Sequence, residues 1–163
     1  MLTIRFGEED RYHSAPYFCL LTPEGRQVSL GDFYERSNLV LVFVPESCQS
    51  CPQFLQQLAS RSQEFARENA RLLAVFSPGS NRMPDLQEAI GGQIMLLEGP
   101  SQAVRTEYIS LMAPGLVGNH DLLCFVLDTY GAPYACLAGP QPEPADQAEL
   151  LSWLHFIGIQ CPE

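Results

Sequence analysis

Six consecutive apolar residues, Leu39-Val-Leu-Val-Phe-Val44, run up to Pro45. A strand with one solvated face alternates apolar and polar side chains. This run has no polar position, so both of its faces are expected to be buried, with covering structure on each side of a sheet. Three more apolar runs have the same character: Arg71 to Phe76, Ile94 to Leu97 and Leu122 to Leu127. Between them the pattern turns helical. Phe54, Leu55, Leu58, Ala59, Phe65 and Ala66 recur at three- and four-residue spacing, which predicts one long helix from about Cys51 to Asn69. Asp85 to Ile90 reads as a short helix closed by Gly91-Gly92, and Ser101 to Tyr108 as another with Ser101 as N-cap.

Hairpins frame this alternation. Thr22-Pro-Glu-Gly25 is a turn between Tyr17–Leu21 and Gln27–Leu30, and Asp128-Thr-Tyr-Gly131 returns the chain into Tyr134 to Ala138. Asp146 to Ile159 closes the chain as a helix with Leu150, Leu151, Leu154 and Ile157 on one face. The expected architecture is an α/β fold: a central mixed sheet flanked by helices, with an N-terminal β-hairpin. The 163 residues suit one domain. Residues 14–159 are expected to form its core, 1–13 an N-terminal segment and 160–163 a tail, with Gln141 to Pro144 a short Pro-rich connector.

Charge narrows the partners. Nine basic residues against nineteen acidic ones give a formal net charge of 9 − 19 = −10. So few cations cannot build a nucleic-acid-binding face, and the acidity disfavours anionic membranes. No apolar run is long enough to cross a bilayer, and Met1 to Asp10 does not read as a signal peptide. The expectation is a soluble, cytoplasmic protein.

Six cysteines remain to be explained: Cys19, Cys48, Cys51, Cys124, Cys136 and Cys161. Cys19, Cys124 and Cys136 sit in apolar strand segments, where Cys packs as a small hydrophobe. Cys161 lies in the tail as a candidate free thiol. His13, His120 and His155 are isolated, and surface or capping roles are expected of them. Only Cys48 and Cys51 form a close pair, between a buried strand and a helix. Unpaired N–H groups at a helix start favour a thiolate, and the spacing lets one sulfur reach the other. Glu46 is anionic and near in sequence, so it would oppose ionisation if it approached Cys48. The residue before a proline resists helical geometry. Ser50-Cys-Pro-Gln53 therefore predicts a capping box, with the helix starting at Cys51 and Cys48 in the turn ahead. A half zinc site and a chemically silent pair stay open as alternatives.

The segments Ala15-Pro-Tyr-Phe18, Leu39–Val44 with Cys48-x-x-Cys51, Leu73–Ser77 and Phe125-Val-Leu-Asp128-Thr-Tyr-Gly131 together resemble the thioredoxin-like superfamily. The resemblance is to its peroxiredoxin-related branch, the alkyl hydroperoxide reductase and thiol-specific antioxidant family, and it covers about Ala15 to Ile157. It implies a thioredoxin-like fold and a thiol-disulfide oxidoreductase or peroxiredoxin-like antioxidant role. Cys48 would attack and Cys51 resolve. The implied substrate is a protein disulfide or a hydroperoxide; the chain would need an external thiol reductant, no bound cofactor and no metal. The likeness departs at Leu122, where thioredoxins place a cis-proline, and at Val42, where they place a buried Asp. Peroxiredoxins place Thr or Ser three residues before the reacting Cys, where Pro45 or Cys48 stands here. They also place an Arg near the late strand, and none stands at Leu122 or its neighbours. A general dithiol role is therefore expected rather than efficient peroxidase chemistry, with a catalytically weak binding or scaffold protein as the alternative.

Overall fold

The computed structural model describes residues 1–160, so Cys161 lies outside the described residues. Its main sheet has six strands in the order β1-β8-β7-β4-β5-β6. These are β1 (Leu2–Arg5), β4 (Asn38–Phe43), β5 (Ala70–Val75), β6 (Met95–Leu97), β7 (Leu122–Leu127) and β8 (Pro133–Gly139). β4, β5 and β6 run parallel, while β7 lies antiparallel to β4, and β8 and β1 continue antiparallel. β2 (Cys19–Leu21) and β3 (Gln27–Ser29) form the expected hairpin as a separate two-stranded sheet, joined to the core by a bridge between Leu21 and Glu98. No helix among the described residues is long and apolar enough to cross a membrane.

The unbroken apolar runs are explained by alternation between two buried faces. Val40, Val42 and Val44 of the β4 segment join one core with Leu122, Cys124 and Val126 of β7. Leu39, Leu41 and Phe43 join the opposite core with Leu123, Phe125 and Leu127. Helices α1 (Cys51–Ser60), α2 (Ser62–Arg67), α3 (Met83–Ile90) and α5 (Pro144–Gln160) pack on the first face. Helix α4 (Ser101–Ile109) and the hairpin cover the second. Tyr108 of α4 packs there against Phe43 and Phe125, with ring centroids 5.3 Å and 5.1 Å away.

Several expectations are corrected. The single helix from Cys51 to Asn69 is two helices, broken at Arg61 (φ −101°, ψ 16°). Ser60 Oγ donates to the Gln57 carbonyl oxygen at 2.7 Å, a back-bond that bends helices, and the Arg61 guanidinium folds onto Glu64 at 2.7 Å. The N-terminal segment is part of the sheet: Leu2–Arg5 pairs with β8 through Leu2↔Ala138 and Ile4↔Cys136. Its two outer residues are exposed, so it carries too little apolar periodicity to be read from sequence. Ser101 is the first helical residue rather than the cap, which is Pro100. Cys19 is exposed, because the hairpin buries one face only and turns Leu20, not Cys19, into the core.

Candidate redox site

The site begins where β4 ends. The Val44 N–H still donates to Val75 O, at 3.0 Å, and the chain then turns at Pro45, with the Cys48 N–H donating to Pro45 O at 3.2 Å. Helix α1 starts at Cys51 with Pro52 in its first turn, where its missing N–H leaves no gap. Cys48 stands in the turn ahead. The two sulfurs are joined as a disulfide, with Cα atoms 5.5 Å apart. Both residues are buried, Cys48 1% and Cys51 0% exposed.

The capping box is absent. Ser50 occupies the N-cap position, but its backbone is helical and its side chain caps no N–H. Its hydroxyl turns outward and donates to Gln141 Oε1 instead. That same Oε1 lies 3.7 Å from Cys48 Sγ. The segment from Gln141, read from sequence as a connector, is therefore a wall of the site.

A second residue escaped the sequence reading. Arg82, just before α3, donates from Nη2 to Glu46 O at 2.6 Å and from Nη1 to the Cys48 carbonyl oxygen. It clamps the turn and brings a cation to the residue that carries the sulfur. Nothing local marks it, since it lies thirty-odd residues downstream in an unremarkable loop. Glu46 is exposed and lines a cavity at the end of β4.

Beneath the pair the floor is apolar. Val42, Leu122 and Cys124 share the core of Cys48 and Cys51. Cys124 is thus on the same face of the sheet as the pair, and burial pushes its thiol well above the usual range. Cys136 faces the other core, where burial also raises its thiol. His155 lies 3.4 Å from Glu68, His120 borders the cavity near Glu46, and His13 is exposed. Among the described residues no group of three or more His, Cys, Asp or Glu is placed to hold a metal ion.

A strand, a tight turn and a Cys-x-x-Cys pair closing as a disulfide at a helix start make a two-electron thiol site. The model of the AhpC/TSA family matches residues 12–132. The chain belongs to the AhpC/TSA family. A search among curated proteins found no match. Solved structures share the fold. Peroxidoxin BcpB from Mycobacterium tuberculosis superposes with a TM-score of 0.70 at 19% identity, covering 89% of this chain and 96% of its own. The bacterioferritin comigratory protein of Xanthomonas campestris gives 0.69 at 16%, covering 85% and 90%. A candidate thiol:disulfide interchange protein DsbE from Chlorobium tepidum gives 0.68 at 19%, covering 88% and 94%. As an AhpC/TSA protein with a thioredoxin-like fold, the chain is a thiol-dependent oxidoreductase.

Proposed function

We propose that this AhpC/TSA protein works as a dithiol oxidoreductase, with Cys48 as the attacking thiolate and Cys51 as the resolving thiol. The observation that carries the reading is the bond between the two sulfurs at the start of α1. In the reduced protein the Cys48 thiolate attacks one sulfur of a substrate disulfide. The substrate S–S bond breaks, one half leaves as a thiolate, and a mixed disulfide forms on Cys48. Cys51 gives up its proton and attacks Cys48 Sγ, releasing the second half and closing the Cys48–Cys51 bond. An external dithiol then supplies two electrons and two protons to reopen it. With a hydroperoxide, Cys48 takes the terminal oxygen and the alcohol leaves; the resulting sulfenic acid condenses with Cys51 and expels water.

Disulfide exchange is the better supported chemistry. A peroxide site concentrates donors on the peroxide oxygens, whereas Pro45 precedes the turn and Leu122 ends the apolar floor. The near-complete burial of both cysteines favours one second reading, a redox-silent binding protein. Reduction of a peptide disulfide and of an organic hydroperoxide, with Cys48→Ser and Cys51→Ser beside the parent, separates the readings. The expected result is turnover of the disulfide, a trapped mixed disulfide in Cys51→Ser and no reaction in Cys48→Ser. A parent protein inert toward both substrates would leave only the binding reading. The reducing cytoplasm is the proposed compartment, checked by cell fractionation.

A further inference from the structure

An attacking thiolate at Cys48 carries its charge with little water around it. The residue is 1% exposed, and a buried anion without a hydrogen-bond donor is costly. The groups already described do not supply one. Both hydrogen bonds that Arg82 sends into this turn end on carbonyl oxygens, those of Glu46 and Cys48. The Cys48 N–H donates to Pro45 O, at 3.2 Å. Val42 and Leu122, in the same core, are apolar.

One polar side chain stands against the sulfur. Gln141 Oε1 lies 3.7 Å from Cys48 Sγ and accepts the Ser50 hydroxyl. In the disulfide the sulfur is uncharged, so this oxygen meets no repulsion there. Against a thiolate the same oxygen would set lone pairs on an anion. The other end of the carboxamide is an NH2 with two donors.

The carboxamide can turn over without moving the segment that carries it. Its terminal torsion is broad and two-fold, so both orientations are open to it. The backbone is held, because Pro140 and Pro142 flank Gln141 and the Glu143 N–H donates to Asp146 Oδ2 at 2.6 Å. A hydroxyl both donates and accepts, so Ser50 suits either orientation.

We propose that Gln141 is a redox-coupled donor to Cys48: its amide oxygen faces the sulfur in the disulfide, and its amide N–H faces the sulfur in the thiolate. The inference rests on Cys48 being the attacking thiolate. An external dithiol opens the disulfide, Cys48 gives its proton to solvent, and the carboxamide rotates by half a turn. Nε2 then takes the place of Oε1. One of its hydrogens goes to Cys48 Sγ and the other to Ser50 Oγ, whose own hydrogen turns to water. The charge-assisted bond to sulfur exists only after the S–S bond has opened, so it favours the reduced, reactive form.

Alkylation of the reduced full chain by iodoacetamide, followed at Cys48 by mass spectrometry across the pH range, tests the proposal. Gln141→Glu keeps the shape and replaces the NH2 by an acceptor; Gln141→Met keeps the length and has no donor. The pH of half-maximal rate should rise in both. The rate at neutral pH should fall by about tenfold in Gln141→Glu and about threefold in Gln141→Met, with the high-pH plateau within about twofold. Gln141→Met is the deciding arm, since a carboxylate repels a thiolate whether or not a donor has been lost. A side chain that only walls the site would move the plateau and leave the half-maximal pH in place. Nitrogen-15 spectra of the parent should show the Gln141 side-chain amide protons shifted between the oxidised and reduced forms, a readout that needs no variant. An unmoved half-maximal pH in Gln141→Met, or identical side-chain amide shifts in the two redox forms, would overturn the donor role and leave the dithiol reading standing. A reduced parent whose Cys48 is never alkylated defeats the dithiol reading, and the donor role with it.

Discussion

Gln141 Oε1 stands 3.7 Å from Cys48 Sγ while accepting the Ser50 hydroxyl. One exposed side chain thus bridges the mouth of a buried disulfide and the residue beside it. Gln141→Ala removes that bridge without touching the core. Reduction of the Cys48–Cys51 bond by a small dithiol should accelerate by about two- to fivefold, since access to the sulfur governs exchange. Stability should change by less than about 0.5 kcal/mol, as for other surface substitutions. Stopped-flow reduction and a urea melt check both.

Arg82 holds the Pro45–Ser50 turn through two carbonyl oxygens. One of those oxygens belongs to Cys48 itself. In Arg82→Gln the cation bound to the Cys48 carbonyl is lost, and alkylation of reduced Cys48 at neutral pH should slow by about three- to tenfold. The loss of charge-assisted hydrogen bonds should cost about 1–3 kcal/mol. The pH dependence of the alkylation rate in the reduced protein measures the first effect, and equilibrium unfolding the second.

Cys124 and Cys136 are buried in opposite cores, and burial raises both thiols above their usual value of 9.0. The unfolded chain releases these protons near pH 9 and the folded chain holds them. Their contribution is therefore complete below pH 9 and declines as pH rises beyond it, by roughly 1.4 kcal/mol per pH unit for each group. Urea melts at pH 8 and pH 10.5 should show the loss, and Cys124→Ala should show a smaller one relative to its own pH 8 value; buried Tyr108, also raised by burial, adds to the remainder. In the native oxidised protein the exposed Cys19 should react at once with an aromatic disulfide, and these two only on unfolding.

The Tyr108 hydroxyl is 0% exposed and has no hydrogen-bond partner among the described residues. Its ring packs well on Phe43 and Phe125, so the cost lies in the oxygen alone. Tyr108→Phe should stabilise the protein by about 1 kcal/mol, seen as a higher Tm.

The chain itself determined the central strands and several helix ends, which depend on neighbours along it. The run Leu39–Val44 specified a two-faced strand because no position in it tolerates water. Pro52 set the start of α1 at Cys51, and Gly91 closed α3 through its left-handed backbone (φ 61°). With the strand ahead of it, the Cys48–Cys51 spacing was legible as a redox pair. Tertiary structure decided what depends on distant segments meeting. Ser50 is a good local cap, yet its hydroxyl went to Gln141, ninety-one residues away, because that acceptor lies at the same mouth. Leu2–Arg5 became a strand only because β8 offered it an edge. Cys19 and Cys124 read alike in sequence and separated because a hairpin buries one face and a central strand two. Arg82 and Arg105 carry no local signal at all. Their charges gain meaning from backbone carbonyl oxygens, those of Glu46 and Cys48 for Arg82 and of Gly118 and Asp121 for Arg105, that only the folded chain brings to them.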